Sequence, residues 1–318
     1  MDGLPFTDPS QPLKVPLPMA AAALSRSIVY RSLPLKWSLA IAMATCRMDL
    51  AGRPGRRRLL KRVLQSVAPG ELSEDELSRQ LVLARALRKV GAYTYAPVYR
   101  RSREWLMRNF RPQGLEHLDA IRAAGSGAIL LGTHAGQSSW IGPILRQLGF
   151  PLRRTQRQRI SADTYLLMKR DGTLSEVLPF PAAGEGGAHL KRLYDMLRGG
   201  VWMQHVGDFP DTESGICGTY MGRSVRVVAG PWALARMARV PVVPALLLTD
   251  QHLDSRLLIC PPIRVEAGAS IRDGLEKPLQ TYLDFASRHI SAAPWNVGLK
   301  HWQKLFPDVC PEGELADD

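Results

Sequence analysis

Between Gly114 and Leu248 the chain alternates short apolar runs with stretches of helical spacing, punctuated by glycine and proline. Ala128-Ile-Leu-Leu131 is too short for a buried helix and suits a strand covered on both faces. Glu176-Val-Leu-Pro-Phe180, Val201-Trp-Met-Gln204 and Val240–Leu248 predict three more strands. Pro241 and Pro244 in the last predict either an edge position or a start near Val242, because proline cannot donate to a ladder. Ser138–Leu148 and Ala188–Leu197 have helical spacing between these runs, and Leu275–Ala292 predicts a closing helix. Strands alternating with helices imply an α/β fold, with a central mixed, mainly parallel sheet flanked by helices.

Ahead of this region, from about Ala20 to Gln113, the pattern is helical. Ser73 with Glu76 forms a capping box, and Leu72 and Leu77 can close a hydrophobic staple around it. Leu77, Leu81, Ala84 and Leu87 then recur on one helical face. The expected organisation is a flexible arm over 1–20, a helical N-terminal region over 21–112, an α/β core over 113–311 and a disordered acidic tail over 312–318.

Composition narrows the function. With 45% hydrophobic and 22% charged residues the chain can build a core and is not of disordered composition. The 42 Lys and Arg against 29 Asp and Glu give a formal charge of +13, a surface that seeks phospholipid headgroups, nucleic acid or an acidic carrier protein. No zinc-finger spacing or RNA-binding aromatic signature accompanies that charge, so no nucleic-acid partner is expected. Cys46, Cys217, Cys260 and Cys310 lack both zinc-ligand spacing and a disulfide framework, which points to a reducing compartment.

The apolar segment Trp37–Cys46 is too short to span a bilayer, which takes about 20 residues. Arg26, Arg31 and Lys36 precede it, and Arg47 and Arg56 to Arg58 follow. It reads either as a helix lying on an anionic membrane or as a core helix whose ends are solvated by arginine. The first residues carry Asp2 and Asp8 with no positive n-region, so no cleavable signal peptide is expected. Together these features predict a protein of a reducing compartment that can lie on a membrane surface and does not span one.

The segment running from Ala128 through Gly132, Thr133, His134, Ala135, Gly136, Gln137 and Ser139 to Trp140 carries the chemistry. A strand delivers His134 to its carboxyl end, where open α/β sheets bind ligands. An imidazole with an ordinary pKa near about 6.5 can act there as a base. His134 with its flanks resembles the His-x4-Asp/Glu motif of the lysophospholipid acyltransferase superfamily, and most nearly its bacterial lipid A late-acyltransferase branch. The likeness continues in Gln113-Gly-Leu-Glu-His-Leu-Asp119, Met168-Lys-Arg-Asp-Gly172, Gly207-Asp208, Gly218–Gly222, Ala229–Ala235 and Val240–Pro244. Pro294-Trp-Asn296 and Leu299-Lys-His-Trp302 fall where that branch carries an aromatic, a His and basic residues.

The resemblance implies acyl transfer from an acyl-carrier protein or coenzyme A thioester to a hydroxyl on a lipid or glycolipid. No cofactor is implied beyond the acyl thioester as co-substrate. His134 would be the base and Arg170 an oxyanion or anionic-group contact. Gln137 and Gly230, in the matching segments, are assigned to substrate binding. Arg154 and Arg157, in the basic cluster after the motif helix, would receive the carrier or a phosphorylated acceptor, the alternative being a solvated basic loop.

The chain departs from the family pattern five residues after His134, where Ser139 stands in place of the acid. A serine hydroxyl can fix the imidazole tautomer but brings no negative charge. Asp163, Asp171, Glu176, Glu185 and Asp208 are conceivable substitutes, and Asp208 is the least demanding because it lies beyond a predicted strand of the same sheet. The missing acid also motivates two other readings. One is a non-catalytic relative that binds an acyl chain, carrier or partner enzyme. The other is an enzyme acylating a specialised acceptor. A metal site of His134, His205 and Asp208 has no support in the family and none is expected. The chain has no Gly-x-Ser-x-Gly elbow and no Walker A loop, against a serine hydrolase or a nucleotide enzyme.

Overall fold

The computed structural model describes residues 4–5, 32–51, 54–67, 70, 72–92, 98, 101–156, 159–160, 177–179, 186–208, 210–211, 213, 215–266, 268, 270 and 273–307. Among them, six strands build the central sheet: β1 (Ala128–Gly132), β2 (Leu152–Gln156), β3 (Val177–Pro179), β4 (Trp202–Val206), β7 (Val242–Thr249) and β8 (Ser255–Ile259). A separate antiparallel hairpin joins β5 (Ile216–Tyr220) to β6 (Arg223–Val227). The sheet runs β8-β7-β1-β4-β2-β3, parallel throughout except for the antiparallel pairing of β7 with β8. The mainly parallel α/β architecture expected from the alternating runs is therefore the fold. Every residue of β1 and β7 is buried, as central strands covered on both faces require.

β7 begins at Val242, and Pro241 stays outside it. The edge alternative is not what forms, since β7 lies between β1 and β8. Pro244 is accommodated inside the strand, and its carbonyl still accepts from the Cys260 N–H at 2.9 Å. β2 corrects the basic-loop reading over residues 152–156. Leu152-Arg-Arg-Thr-Gln156 is an interior strand, paired in parallel with β4 on one side and β3 on the other. Its charged side chains hide the apolar signature by which interior parallel strands are ordinarily read.

Helices α1 (Leu35–Ala51), α2 (Pro54–Val67) and α3 (Glu74–Ala92) form the N-terminal region, and α4 (Arg103–Phe110) and α5 (Leu115–Ala123) lead into β1. The capping box of α3 is made in full. Glu76 Oε2 accepts from the Ser73 N–H at 3.1 Å and from its hydroxyl at 2.8 Å, while Ser73 Oγ accepts the Glu76 N–H at 3.3 Å. Leu77 beneath it is buried. In α1, Leu35, Leu39, Ala42, Cys46 and Leu50 face the core, while Trp37, Ile41 and Met48 are exposed. One contiguous core extends from Leu35 to Phe306, so the N-terminal helices and the sheet share it.

The remaining helices are α6 (Ser138–Gln147), α7 (Gly186–Arg198), α8 (Gly230–Ala238), α9 (Glu276–Ser291) and α10 (Leu299–Leu305). Helix α6 lies against β2 and β7, α8 against β1 and β7, and α9 against β5. Among the described residues, no helix is long and apolar enough to cross a membrane. Leu4 and Pro5 pair with Ile160 and Arg159 in a short antiparallel ladder. The rest of the expected arm and the acidic tail lie outside the described residues, as does Cys310. Cys46, Cys217 and Cys260 are free thiols.

Candidate active site

The last residue of β1, Gly132, is in register with Val206, the last residue of β4. Two residues beyond each strand end stand His134 and Asp208, so parallel pairing brings them side by side. Three bonds fix the turn that carries His134. Thr133 Oγ1 accepts the Ala135 N–H at 3.1 Å, Gly136 donates to the Asn296 carbonyl at 2.7 Å, and Gln137 donates to the Leu247 carbonyl at 3.0 Å. Gly136 has φ of +59°, and a Cβ there would collide with the Leu247 carbonyl, so glycine is required twice over. From α9, the Tyr282 hydroxyl donates to the Gly132 carbonyl at 2.8 Å and ties down the end of β1.

Asp208 is 1% exposed and accepts from two histidines. Its Oδ1 lies 2.8 Å from His134 Nδ1, and the His134 backbone N–H donates to Oδ1 and Oδ2 at 3.0 and 2.9 Å. Oδ2 also lies 2.8 Å from His301 Nε2, supplied by α10. The two imidazoles stack on each other with ring centroids 4.4 Å apart. His301 is 8% exposed, whereas the His134 side chain is 38% exposed, making it the member of the trio open to solvent.

Burial alone would push the Asp208 carboxyl upward. The charge of His301 and the bonds from both imidazoles outweigh it and hold the group well below the usual carboxylate range. Asp208 is therefore ionised and can only accept, which puts the His134 proton on Nδ1 and leaves Nε2 with its lone pair. Two buried phenols flank the carboxylate. Burial, reinforced by the Asp208 charge, pushes the hydroxyls of Tyr220 and Tyr282 upward and keeps them neutral. The donor atoms of His134, Asp208 and His301 lie within 4.8 Å of one another and could hold a divalent metal. In the observed geometry both carboxylate oxygens are instead engaged by N–H donors.

Of the residues singled out in the sequence, His134 and Asp208 meet. Ser139 is half-buried in the first turn of α6, and the His134 Nδ1 bond goes to Asp208. Gln137 is buried, with its amide donating to the Leu87 carbonyl at 3.3 Å. Gly230 opens α8. Arg154 lies within β2, in register with Gln204 of β4 and away from the strand ends, and burial pushes its guanidinium down to about 10. Arg157 and Arg170 lie outside the described residues. His205 turns toward β2, where its Nδ1 lies 3.2 Å from Thr155 Oγ1, and burial with the neighbouring His189 charge lowers it to about 4.

The residue that sequence reading passed over is His301. It lies in the Leu299-Lys-His-Trp302 segment, already noted for its composition. Its distance of 93 positions from Asp208 gave no sign that the two would touch.

A buried carboxylate holding the tautomer of an accessible imidazole, at the carboxyl ends of two parallel strands, defines an α/β protein equipped for general-base chemistry. The family model of bacterial lipid A biosynthesis acyltransferases matches residues 20–280, a span that includes both His134 and Asp208, and the chain belongs to that family. No individual curated protein matches it. Acyl transfer is the general activity this membership carries.

Proposed function

We propose that the protein moves an acyl chain from an acyl-carrier protein or coenzyme A thioester to a hydroxyl or amine of a lipid or specialised-metabolite acceptor, with His134 as the base. The observation that carries this reading is the 2.8 Å bond between His134 Nδ1 and the buried Asp208 carboxylate. His134 Nε2 takes the acceptor proton as the acceptor oxygen or nitrogen attacks the thioester carbonyl. The new C–O or C–N bond forms, the C–S bond breaks, and the imidazolium returns its proton to the departing thiolate. Asp208 stabilises the imidazolium while it exists, the part assigned in the family motif to the acid that Ser139 replaces. Helix α6 starts four residues after His134 with no side-chain cap and no acid in its first turn, so its leading N–H groups favour negative charge on the carbonyl oxygen.

The reading puts the protein on the inner face of the bacterial inner membrane, in the cytoplasm and without a spanning helix. The outer face of α1 supports this, with Trp37, Ile41 and Met48 exposed alongside Lys36 and Arg47. Beside it a cavity of about 330 Å³ is lined by Arg47, Arg57 and Arg79 together with Leu50, Leu81 and Val82, and by Asp75 as its acidic member. Three arginines beside apolar lining residues suit an anionic headgroup.

Purified protein supplied with long-chain acyl-carrier thioesters and candidate acceptors tests the proposal. Turnover in the native chain that His134→Ala abolishes is the expected result. The same slow thioester loss in both proteins would overturn it, and would favour a homologue that binds the acyl chain or carrier without reacting.

A further inference from the structure

We propose that His301 is a positioning residue, whose Nε2–H pins the second oxygen of Asp208 so that the carboxylate keeps its orientation for His134. The inference rests on the reading of His134 as the base, and it extends the working group beyond the pair to a shared carboxylate between two rings.

Three N–H groups fill the acceptor sites of Asp208: the His134 backbone, His134 Nδ1 and His301 Nε2. Two of these come from His134 itself. His301 is the described donor that reaches Oδ2 from another part of the chain, and without it Oδ2 keeps only the shared His134 backbone N–H. A buried carboxylate with an underused oxygen can rotate about its terminal torsion, and such rotation would misalign Oδ1 against Nδ1. The stacked His301 ring also covers one face of the His134 ring, with 30° between the planes.

The tautomer of His301 follows from its partner. Asp208 is ionised and has no proton to give, so the 2.8 Å contact requires the hydrogen on Nε2. His301 is buried and does not reach solvent as His134 does. Its helix is anchored by Trp302 and Phe306, both buried and stacked with centroids 5.4 Å apart.

Two variants and one spectrum test the proposal. With acyl-carrier thioester as substrate, His301→Ala is expected to lower kcat by about 10- to 100-fold, by analogy with the loss when a hydrogen-bond partner that orients a metal-bound histidine is removed, with KM within about twofold. His301→Gln, whose amide can donate to the same oxygen, is expected to recover kcat to within about threefold of native. Native kcat in His301→Ala would overturn the proposal, as would equal losses in both variants. Independently of turnover, nitrogen-15 spectra of the imidazoles at neutral pH should put the proton of His301 on Nε2 and that of His134 on Nδ1. In His301→Gln the His134 pattern should persist. A His301 ring without a proton on Nε2 overturns the proposal even if no acyl acceptor is found, so its failure is separable from failure of the acyl-transfer reading.

Discussion

Asp208→Asn is the substitution that tests the site most directly, because it keeps the shape of the side chain and removes its charge. The amide offers one acceptor oxygen to three N–H donors and turns an NH2 toward a group that had an acceptor. If that NH2 faces His134 Nδ1, the imidazole must move its proton to Nε2, and the base is lost. The lost charge can be scaled from the geometry. An imidazolium and a carboxylate 2.8 Å apart attract by about 6 kcal/mol at an effective dielectric constant of about 20. His134 is 38% exposed, so screening reduces this to about 4 kcal/mol, a factor of about 10³ in rate. The assay is kcat for loss of a long-chain acyl-carrier thioester to acceptor, compared between native protein and Asp208→Asn, with thermal unfolding to show that both are folded. A folded Asp208→Asn protein within threefold of native kcat would refute the assignment of Asp208.

Ser139→Glu should change kcat by less than about threefold, since His134 Nδ1 already meets a carboxylate; a tenfold gain would mean that Asp208 does not serve the ring in solution. Gly136→Ala should cost at least about tenfold in kcat, because its φ of +59° and the Leu247 carbonyl leave no room for a side chain beside His134; unchanged turnover would show that the turn is not rigid. His205 is held down at about 4 from 6.5, so the stability it contributes is complete above about pH 6.5 and is lost as pH falls through about 4. Urea titrations should show native protein losing about 3 kcal/mol relative to His205→Gln between pH 7 and pH 4, and parallel curves would contradict the buried neutral ring. Ser73→Ala should lower stability by about 1 kcal/mol through loss of the α3 cap, read as a melting temperature about 2 °C lower.

Much of the fold was legible in the chain because apolar periodicity reports burial. Ala128–Leu131, Val201–Gln204 and Val242–Leu248 read as strands since interior parallel strands are apolar on both faces. The α3 cap was equally plain, because Ser73 and Glu76 satisfy each other across a single turn. The strands β2, β5, β6 and β8 escaped notice for a matching reason. Cys217, Arg226 and Arg256 are the exposed positions of alternating strands and break up the continuous apolar runs by which the other strands are read, and Arg153 and Arg154 make an interior strand look like a basic loop. In α1 the apolar segment packs on the core along one face, as the core-helix reading expects. Its residues face the core at Leu39 and Cys46 and face outward at Trp37 and Met48.

By itself the sequence determined that a histidine would be delivered to the carboxyl end of a buried parallel strand, because local hydrophobic pattern and turn chemistry reach that far. It also exposed the lack of an acid at position 139. Which carboxylate faces the ring was decided by tertiary structure alone. That outcome depends on β4 inserting between β1 and β2 with Gly132 opposite Val206, and register between strands far apart in the chain leaves no local trace. The approach of His301 is more remote still, since it requires the last described helix to return across the core and seat its imidazole against a carboxylate that nothing in its own segment specifies.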